Sequence, residues 1–433
     1  MGRPAFVRFL NEEPGDLERG VTWNGARATW RDLVDAGRRR AACVRRQHAY
    51  LVDPTRGLDA IAAFFAVATV PDTVLVWAAP STLDLPRTEL APALYGIAMP
   101  TDEPIERPLW GVCTSGSSGA SKVAVGHADG LELVALQYDR AIYQPTFPGG
   151  APRTIATCLP LQFSAAFFMT LLPSLYLCRD LVVFAPHDWR PVTDLAASGD
   201  LVLLGVPALT AAAALGMAEP VDMSRAAFFL GAGHLSAQRV RTIRGAFTGV
   251  ALANLYGTAE TGAIAVDRDP GHNEHVGFPV PGKSVWINRP DSDGVGAVAV
   301  AGPDCCTHLW RPGEPPQPNR SFVASTDYGH FDADGHLCLD GRMDGGEKLF
   351  GITIYPRAVE RHLLRLDGVA DARVRVDRDG EGLEHLSATV VGTVSEADVR
   401  AHCASLADTE RPSRIECIPE TEAVAAYSAH GKL

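Results

Sequence analysis

Apolar residues near the N-terminus recur first at helical and then at strand spacing. Thr29 and Asp32 have the spacing of a capping box, which predicts a surface helix from Thr29 to Val44. Its apolar face is formed by Trp30, Leu33, Val34, Ala41 and Val44. The runs HAYLVDP (48–54) and TVLVWAAP (73–80) are typical of strands, and the helical pattern LDAIAAFFAVAT (58–69) lies between them. This order predicts a strand–helix–strand unit and a partly parallel sheet.

The alternation continues in the middle of the chain and then changes twice. Strand-like and helix-like pieces alternate in VVFA, LVLLGVPALTAAAAL, AAFFLGAGHLS and VALANLYG, which predicts an α/β architecture. From about Val276 the runs VGFPVPGKSVWI, GAVAVAGP and HLCLDGR predict a compact unit of short strands. Past Arg342, a helix starting near Pro356 and the alternating runs ARVRVD and LSATVVG predict a small α+β unit. We therefore expect a large domain, residues 1–341, and a small domain, residues 342–433.

One apolar segment is long enough to span a membrane. Thr154–Cys178 contains no charged residue, but Pro160 and Pro173 interrupt it and Gln162 dilutes it. We therefore expect a buried strand and helix here and no membrane span.

Composition and charge narrow the classes of partner. The 433 residues include 39 Lys and Arg against 51 Asp and Glu, a net charge of −12, and no basic block with interleaved aromatic residues occurs. We therefore expect no nucleic-acid partner. The nine cysteines are scattered and the N-terminus has no signal-peptide pattern, so we expect a cytoplasmic protein with free thiols.

The stretch CTSGSSGASK, Cys113–Lys122, is rich in glycine and hydroxyl groups and ends on a lysine. Its freed N–H groups, hydroxyls and cation suit a polyanion such as a triphosphate. A P-loop is excluded, because Ser121 and Lys122 stand where Gly and Lys should follow Gly116. By itself the stretch could equally be a solvent-exposed turn.

Four further islands contain polar or glycine residues in patterns suited to nucleotide binding. In Gly231–Ser236, a serine replaces the third glycine of a dinucleotide fingerprint, and no acidic residue ends the following strand. The other three are Asn254–Gly262, Ser325–Gly329 together with Gly341–Gly351, and Ser428–Leu433. Each pattern is weak alone, and only their joint order is informative.

In this order the five islands resemble the signature motifs of the adenylate-forming superfamily, which includes acyl- and aryl-CoA ligases, amino-acid adenylation domains and luciferases. The resemblance covers the chain from about Trp110 to Leu433, and Thr29–Val44 is similar to the first helix of the family. It implies an α/β fold with a large N-terminal domain of α/β subdomains and a small β unit, followed by a small mobile α+β C-terminal domain.

The resemblance also assigns roles to residues in the reaction of ATP with a carboxylic acid. The phosphate loop would grip the β- and γ-phosphates with Thr114, Ser115, Gly116, Ser117, Ser118 and Gly119. Lys122 would neutralise the phosphates, and Glu260 would hold Mg²⁺. The adenine and AMP would contact Gly231, Ala232, Gly233, Tyr256, Gly257 and Thr258. Asp327 would bind the ribose hydroxyls, Arg342 the ribose and phosphate, Asp344 would be the domain hinge, and Lys432 would bridge the carboxylate and the α-phosphate.

This sequence departs from the usual motifs at several positions. Ala259 stands where a threonine is usual, which leaves open whether Thr258 contacts the AMP phosphate. Ser121 replaces a proline and Glu347 an apolar residue, and the usual S/T-G-D triplet reads Ser325-Thr326-Asp327. The phosphate loop also comes early in the chain, which predicts an abbreviated first subdomain.

Simpler interpretations of single residues stay open. Asp327 could be a turn residue, Arg342 a surface ion-pair partner and Cys113 a packing residue. The spacing of His272, Glu274 and His275 is compatible with a zinc site, but no further ligand is evident in the sequence.

The segment Leu159–Phe168 resembles the acid pocket of the family, and it assigns Phe163, Ser164 and Phe167 to the substrate. Amino-acid-activating members place an aspartate here, and an unpaired buried ammonium is costly, so we expect an aryl acid, such as a hydroxybenzoate, or an acyl acid. The acceptor would be the pantetheine thiol of CoA or of an acyl carrier protein. An amino-acid adenylation enzyme and a non-catalytic adenylate-binding protein remain the alternatives.

Overall fold

A computed structural model gives the fold of the chain. It describes residues 17–83, 85–98, 106–114, 121–147, 152–233, 235–271, 275–314, 316–319, 321–342, 347–349, 352–378 and 384–423. For Arg342 it describes the backbone alone.

Seventeen strands of the described part of the chain lie before residue 280, and each belongs to one of two large sheets or to a minor two-stranded pair. They are β1 Gly20–Trp23, β2 Ala26–Thr29, β3 Ala49–Val52, β4 Val74–Trp77, β5 Arg87–Ala91, β6 Leu94–Ile97, β7 Leu109–Thr114, β8 Lys122–His127, β9 Thr154–Thr157, β10 Asp180–Val183, β11 Leu201–Gly205, β12 Val221–Asp222, β13 Ala226–Gly231, β14 Phe247–Thr248, β15 Ala251–Thr258, β16 Gly262–Asp267 and β17 Phe278–Pro279.

Eleven further strands follow in the described part of the chain. They are β18 Ser284–Asn288, β19 Gly296–Ala301, β20 His308–Trp310, β21 Gln317–Pro318, β22 Val323–Phe331, β23 Leu337–Arg342, β24 Glu347–Leu349, β25 Ile352–Ile354, β26 Val369–Arg378, β27 Glu384–Gly392 and β28 Arg414–Ile418.

The α-helices are short, and two π-helical segments each join one α-helix to the next. The α-helices are Trp30–Arg40, Leu58–Ala68, Leu131–Tyr138, Gln144–Thr146, Ser164–Ala166, Leu172–Tyr176, Arg190–Ser198, Pro207–Leu215, Ala237–Ala246, Pro356–Leu363 and Glu396–His402. The π-helical segments are Asp139–Tyr143 and Phe167–Leu171, and the hydroxyl of Tyr143 in the first donates to the carbonyl of Met169 in the second.

The larger sheet has nine strands in the order β17-β16-β15-β13-β11-β9-β10-β1-β2. The strands from β15 to β1 run parallel, and the antiparallel strands β2, β16 and β17 lie at the edges. Helices cover both faces of a parallel sheet, so its strands are apolar throughout. The fully buried runs Leu201–Gly205 and Ala226–Leu230 have this character.

The second sheet has eight strands in the order β21-β20-β8-β7-β4-β3-β6-β5. The helix Leu58–Ala68 lies against it and is buried at every residue from Ala60 to Ala68. The largest buried cluster contains residues of both large sheets and of this helix, so the two sheets share one core. A separate cluster on the other face of the nine-stranded sheet includes residues of the helices Arg190–Ser198, Pro207–Leu215 and Ala237–Ala246.

Two smaller sheets and the strand pair β24-β25 follow in the described part of the chain. The antiparallel order β18-β19-β22-β23 forms the compact β unit that the sequence predicts from Val276 onward. The sheet β26-β27-β28 and the helices Pro356–Leu363 and Glu396–His402 form an α+β unit with its own buried cluster. The α/β fold class and the small α+β unit are therefore confirmed.

The predicted local elements are largely confirmed. The N-terminal helix begins after Thr29, whose Oγ1 accepts a hydrogen bond from the Asp32 N–H at 3.1 Å, and the Thr29 N–H donates to the Asp32 carboxylate at 3.0 Å. It ends at Arg40, and a 3₁₀ turn continues to Cys43, close to the predicted Val44. The segment Thr154–Cys178 forms β9 and a broken helical stretch. In the described part of the chain, no helix is long and apolar enough to cross a membrane.

Candidate functional site

Gly231 and Tyr256 lie at the carboxyl ends of two neighbouring parallel strands. β13 pairs with β15 in the register Gly231↔Leu255, which places Tyr256 beside the Gly231–Gly233 turn. A Cβ on Gly231 would lie 2.7 Å from the Leu255 carbonyl oxygen, so the close approach of the strands requires glycine. Ala232 has a φ of 62° and is exposed, as is Gly233. The carboxyl edge of a parallel sheet is where α/β folds bind ligands.

Asp327 contacts Tyr256 at this edge of the sheet, and three neighbours hold it in place. Its carboxylate accepts a hydrogen bond from the Tyr256 hydroxyl at 2.7 Å, and its N–H donates to Ser325 Oγ at 3.0 Å. In the β22–β23 pairing its Cα partner is Arg342. The structure thus brings together Gly231, Tyr256, Asp327 and the backbone of Arg342, four of the residues that the sequence assigned to nucleotide binding.

Glu260 lies on the turn between β15 and β16. Its backbone carbonyl accepts from the Cys306 N–H at 2.8 Å, and the hydroxyls of Thr258 and Thr261 are 3.0 Å apart within the same turn. The Glu260 side chain is half-buried, and among the described residues its carboxylate has no hydrogen-bond or ion-pair partner. A carboxylate in this situation is a suitable ligand for a hard cation such as Mg²⁺.

The predicted phosphate loop joins two antiparallel strands of the second sheet. Thr114 ends β7 and pairs with Lys122, the first residue of β8. Ser115, Gly116, Ser117, Ser118 and Gly119 lie outside the described residues. Lys122 lies beside Arg311 and Glu314 at a small cleft. The segment after Cys306 joins this sheet to the turn of Glu260, because the Thr307 N–H donates to the Val125 carbonyl of β8 at 2.7 Å.

Phe163 and Ser164 start the helical stretch that the sequence assigned to the acid pocket. Both are half-buried, whereas Phe167 is fully buried among aromatic side chains. Its ring centroid lies 5.6 Å from that of Trp77 and 5.2 Å from that of Phe168. Phe167 is therefore a core residue in this structure, and a contact between its ring and the acid stays a prediction.

Lys283 is the residue at this site that sequence reasoning missed. Its ammonium is fully buried and donates to the carbonyl oxygen of Thr261 at 2.6 Å, inside the turn that contains Glu260. It also pairs with Asp304, likewise fully buried, at 2.6 Å. In the sequence, Lys283 is a single lysine among the apolar strands of the β unit. A lysine in such a position is usually expected to be exposed, so the sequence does not predict its burial.

The predicted hinge, the predicted catalytic lysine and most of the possible zinc ligands cannot be placed in the structure. Asp344 and Lys432 are outside the described residues, as are His272 and Glu274 of the possible zinc site. Within the described residues, Asp332, Asp334 and His336 form a cluster of possible metal ligands. The Asp332 carboxylate there accepts from the backbone N–H of Asp334 at 3.0 Å and of His336 at 2.8 Å. This pattern closes the β22–β23 turn, and we assign no metal to it.

The thiols near the site are poor nucleophiles. Burial raises the pKa of Cys158, Cys305 and Cys306 to about 12 and also raises that of Cys113, which adjoins the phosphate loop. These groups stay protonated at neutral pH, so nucleophilic catalysis by them is not supported.

We expect iodoacetamide at pH 8 to label the exposed Cys43 well before Cys158, Cys305 or Cys306. A thiol with a pKa of about 12 is ionised to about one part in ten thousand at this pH, and the thiolate is the reactive form. Peptide mapping by mass spectrometry measures the order, with labelling in denaturant as the control. Rapid modification of the native Cys305 or Cys306 would contradict the burial described here.

The sequence matches known proteins at the level of a family. The AMP-binding enzyme family model matches residues 100–308. A p-hydroxybenzoic acid–AMP ligase of Mycobacterium tuberculosis is 25% identical over 295 residues, covering 65% of this chain and 40% of the relative. An L-proline–[L-prolyl-carrier protein] ligase of Pseudomonas fluorescens is 26% identical over 317 residues, covering 67% and 60%. The chain therefore spans about half the length of these relatives.

The fold matches solved structures over almost the whole chain. ATP-bound MatB from Rhodopseudomonas palustris superposes with a TM-score of 0.72 at 21% identity, covering 96% of this chain and 95% of that one. The o-succinylbenzoate CoA synthetase of Bacillus subtilis in complex with its acyl-adenylate intermediate gives a TM-score of 0.70 at 16% identity, covering 100% and 97%. At these identities the likeness shows the fold.

Proposed function

We propose that the chain is a member of the adenylate-forming superfamily and that it is an AMP-forming ligase for a carboxylic acid. In the proposed reaction, the carboxylate attacks the α-phosphate of ATP, giving an acyl-AMP and pyrophosphate. A pantetheine thiol then displaces AMP. The observation that supports this most directly is the Tyr256–Asp327 hydrogen bond beside the Gly231 turn, because it joins an aromatic face for a base to a carboxylate for a ribose.

The described residues suit ATP and Mg²⁺. Asp327 would accept hydrogen bonds from the two ribose hydroxyls, and Tyr256 would stack on the adenine while holding the Asp327 carboxylate in place. Glu260 would hold Mg²⁺, and Lys122 would lie at the end of the phosphate loop. Mg²⁺, when bound, offsets the negative charge that the phosphates accumulate in the transition state. Lys432 would also offset part of this negative charge.

For the acid, we favour an aryl carboxylate. Phe163 and Ser164 stand where amino-acid-activating members of the family place an aspartate, so the described part of this segment offers no carboxylate to pair with an ammonium. The M. tuberculosis relative is named for p-hydroxybenzoic acid, which agrees with this choice. The P. fluorescens relative is named for L-proline, and amino-acid adenylation is therefore the second candidate.

The acceptor would be CoA or an acyl carrier protein, and the small domain would turn between the two half-reactions. We propose the boundary at 341/342, with Asp344 as the hinge. The separate buried cluster of the α+β unit supports this division, since a unit with its own core can move as a body.

Acid-dependent exchange of pyrophosphate into ATP tests the proposal. We expect exchange with one or a few acids from a panel of hydroxybenzoates, cinnamates, fatty acids and amino acids including L-proline, and we expect EDTA to abolish it. Exchange with L-proline alone would replace the aryl assignment by the amino-acid one. Binding of ATP without exchange on any acid would contradict the ligase assignment and favour a non-catalytic adenylate-binding protein.

A further inference from the structure

We propose that Lys283 is a positioning residue that fixes the turn Thr258–Gly262 and thereby aims the Glu260 carboxylate at the metal ion. The inference rests on the proposed function, in which Glu260 holds Mg²⁺. It extends that function to a buried group far from Glu260 in the sequence.

The three N–H groups of the Lys283 ammonium have three acceptors. They are the Thr261 carbonyl oxygen at 2.6 Å, the Ala263 carbonyl oxygen and Asp304 Oδ2 at 2.6 Å. The side chains of Lys283 and Asp304 are both fully buried. Two of the three bonds therefore go to backbone carbonyls at the end of the turn.

Asp304 and Tyr138 also hold the backbone at the end of the turn in place, together with Lys283. The Tyr138 hydroxyl donates to Asp304 Oδ2 and accepts from the Ala263 N–H at 3.1 Å. Burial, together with the neighbouring Asp304 charge, raises the pKa of Tyr138 well above its ordinary value, so the hydroxyl keeps the proton that it donates. The peptide units of Thr261 and Ala263 are thus held by a cation and by a neutral hydroxyl.

The geometry of the turn leaves it little freedom. Gly262 has a φ of 62°, and a Cβ there would lie 2.1 Å from Asp304 Oδ2 and 2.3 Å from the Tyr138 hydroxyl. At the other side of the turn, the Glu260 carbonyl accepts from the Cys306 N–H at 2.8 Å. The backbone is therefore anchored at Glu260 itself and at the next residue, Thr261, and the Glu260 carboxylate has no hydrogen-bond or ion-pair partner among the described residues to orient it. The backbone anchors are what set its direction.

A purely stabilising ion pair would need no bonds to the turn. The chain contains such a pair for comparison, Arg179 with Asp139, whose side chains are 7% and 6% exposed and 2.6 Å apart. That pair has no hydrogen bond to the Glu260 turn among the described residues. It therefore serves as a matched control, because its removal perturbs a buried charge pair in the same large domain while leaving the anchors of Glu260 in place.

The test uses the double variant Lys283→Met/Asp304→Asn of the full chain. Methionine keeps the length of the buried chain, and the asparagine oxygen still accepts from Tyr138, so no buried charge is left unpaired. The Thr261 and Ala263 carbonyls lose their donor. Calorimetric titration with ATP, in the presence and absence of Mg²⁺, measures the gain in affinity that the metal provides. We expect this gain to fall about 10- to 100-fold, with metal-free ATP binding unchanged.

The control and the alternative outcomes separate this inference from the proposed function. Arg179→Met/Asp139→Asn is expected to lower the melting temperature while leaving the Mg²⁺-dependent gain as in the wild type. An unchanged gain in the Lys283 double variant overturns the inference, as does an equal loss of metal-free ATP binding or an equal loss in the control. A wild-type protein without a Mg²⁺-dependent gain overturns it too. If that gain is lost only in the Lys283 variant but the wild type exchanges pyrophosphate with no acid, the inference stands and the proposed reaction fails.

Discussion

Replacing Asp327 with alanine is expected to lower kcat/KM for ATP in pyrophosphate exchange by about 10³-fold. Hydrogen bonds to a charged group contribute about 1.5–3 kcal/mol each, so two bonds to the ribose hydroxyls amount to about 4 kcal/mol. The variant should fold, because Asp327 is only half-buried and Tyr256 can turn its hydroxyl to water. Initial rates of exchange at varied ATP concentration measure the effect.

Tyr256→Phe is the matched control for Asp327→Ala. It removes the 2.7 Å hydrogen bond that orients the Asp327 carboxylate but keeps both the carboxylate and the aromatic face. We expect a loss of about 10-fold, as for one charge-assisted hydrogen bond. Equal losses in the two variants would mean that Asp327 acts only by holding Tyr256. A loss below 10-fold in Asp327→Ala would contradict its assignment to the ribose.

Local elements of the fold could be predicted because each is determined within a few residues. Thr29 and Asp32 satisfy each other across one helical turn, so their spacing is enough to place the helix start. The apolar run Ala226–Leu230 is typical of a buried strand wherever it lies. The order β13-β11-β9-β10-β1 was beyond reach, because pairing β10 with β1 joins residues 180–183 to residues 20–23, and no local pattern specifies that contact.

The same distinction applies to the site. Gly231, Tyr256, Glu260 and Asp327 belong to short sequence motifs, whose chemical pattern can be recognised before the fold is known. The role of Lys283 depends on Asp304 and Tyr138, which lie 21 and 145 positions away in the sequence. These residues contact Lys283 only in the folded chain, so no short motif predicts the role. Phe167 shows the converse limit, since its pattern suits a pocket wall and a core equally, and packing against Trp77 decides for the core in this structure.

The contact between the large and small domains has a definite orientation. The Ser236 hydroxyl, which follows the Gly231–Gly233 turn closely, donates to the Ala370 carbonyl at the start of β26 at 2.7 Å. Burial raises the pKa of Glu420, which lies close enough to Arg239 for that charge to oppose the shift. β24 lies against β26 towards its other end, where Glu347 accepts from the Val376 N–H at 3.0 Å. The last described residues of the chain, around Glu420, thus lie near the helix Ala237–Ala246.

Arg239→Met is therefore expected to lower pyrophosphate exchange by about 10- to 100-fold and to raise the rate of thiol acylation from preformed acyl-AMP. Arg239 belongs to the helix Ala237–Ala246 of the large domain, is 1% exposed and pairs with Asp371 of β26 at 2.8 Å. Breaking a buried pair costs about 3–5 kcal/mol, and here that cost falls on the docked arrangement of the two domains. A substitution that destabilises only the docked arrangement shifts the population towards the undocked one. The rate of thiol transfer, the half-reaction that does not use the docked arrangement, should therefore rise.

The same helix supplies the control, since Arg241 pairs with Asp367 at 3.0 Å with side chains 56% and 94% exposed. Exposed pairs contribute little, and Arg241→Met should change either half-reaction by less than about three-fold. Each variant removes one arginine that contacts the small domain. A difference between their rates therefore reports the effect of losing a buried ion pair, since the loss of positive charge is the same in both. Parallel losses of both half-reactions in Arg239→Met would indicate damage to the large domain itself, and the structure's domain contact would then have no part in choosing between adenylation and thiol transfer.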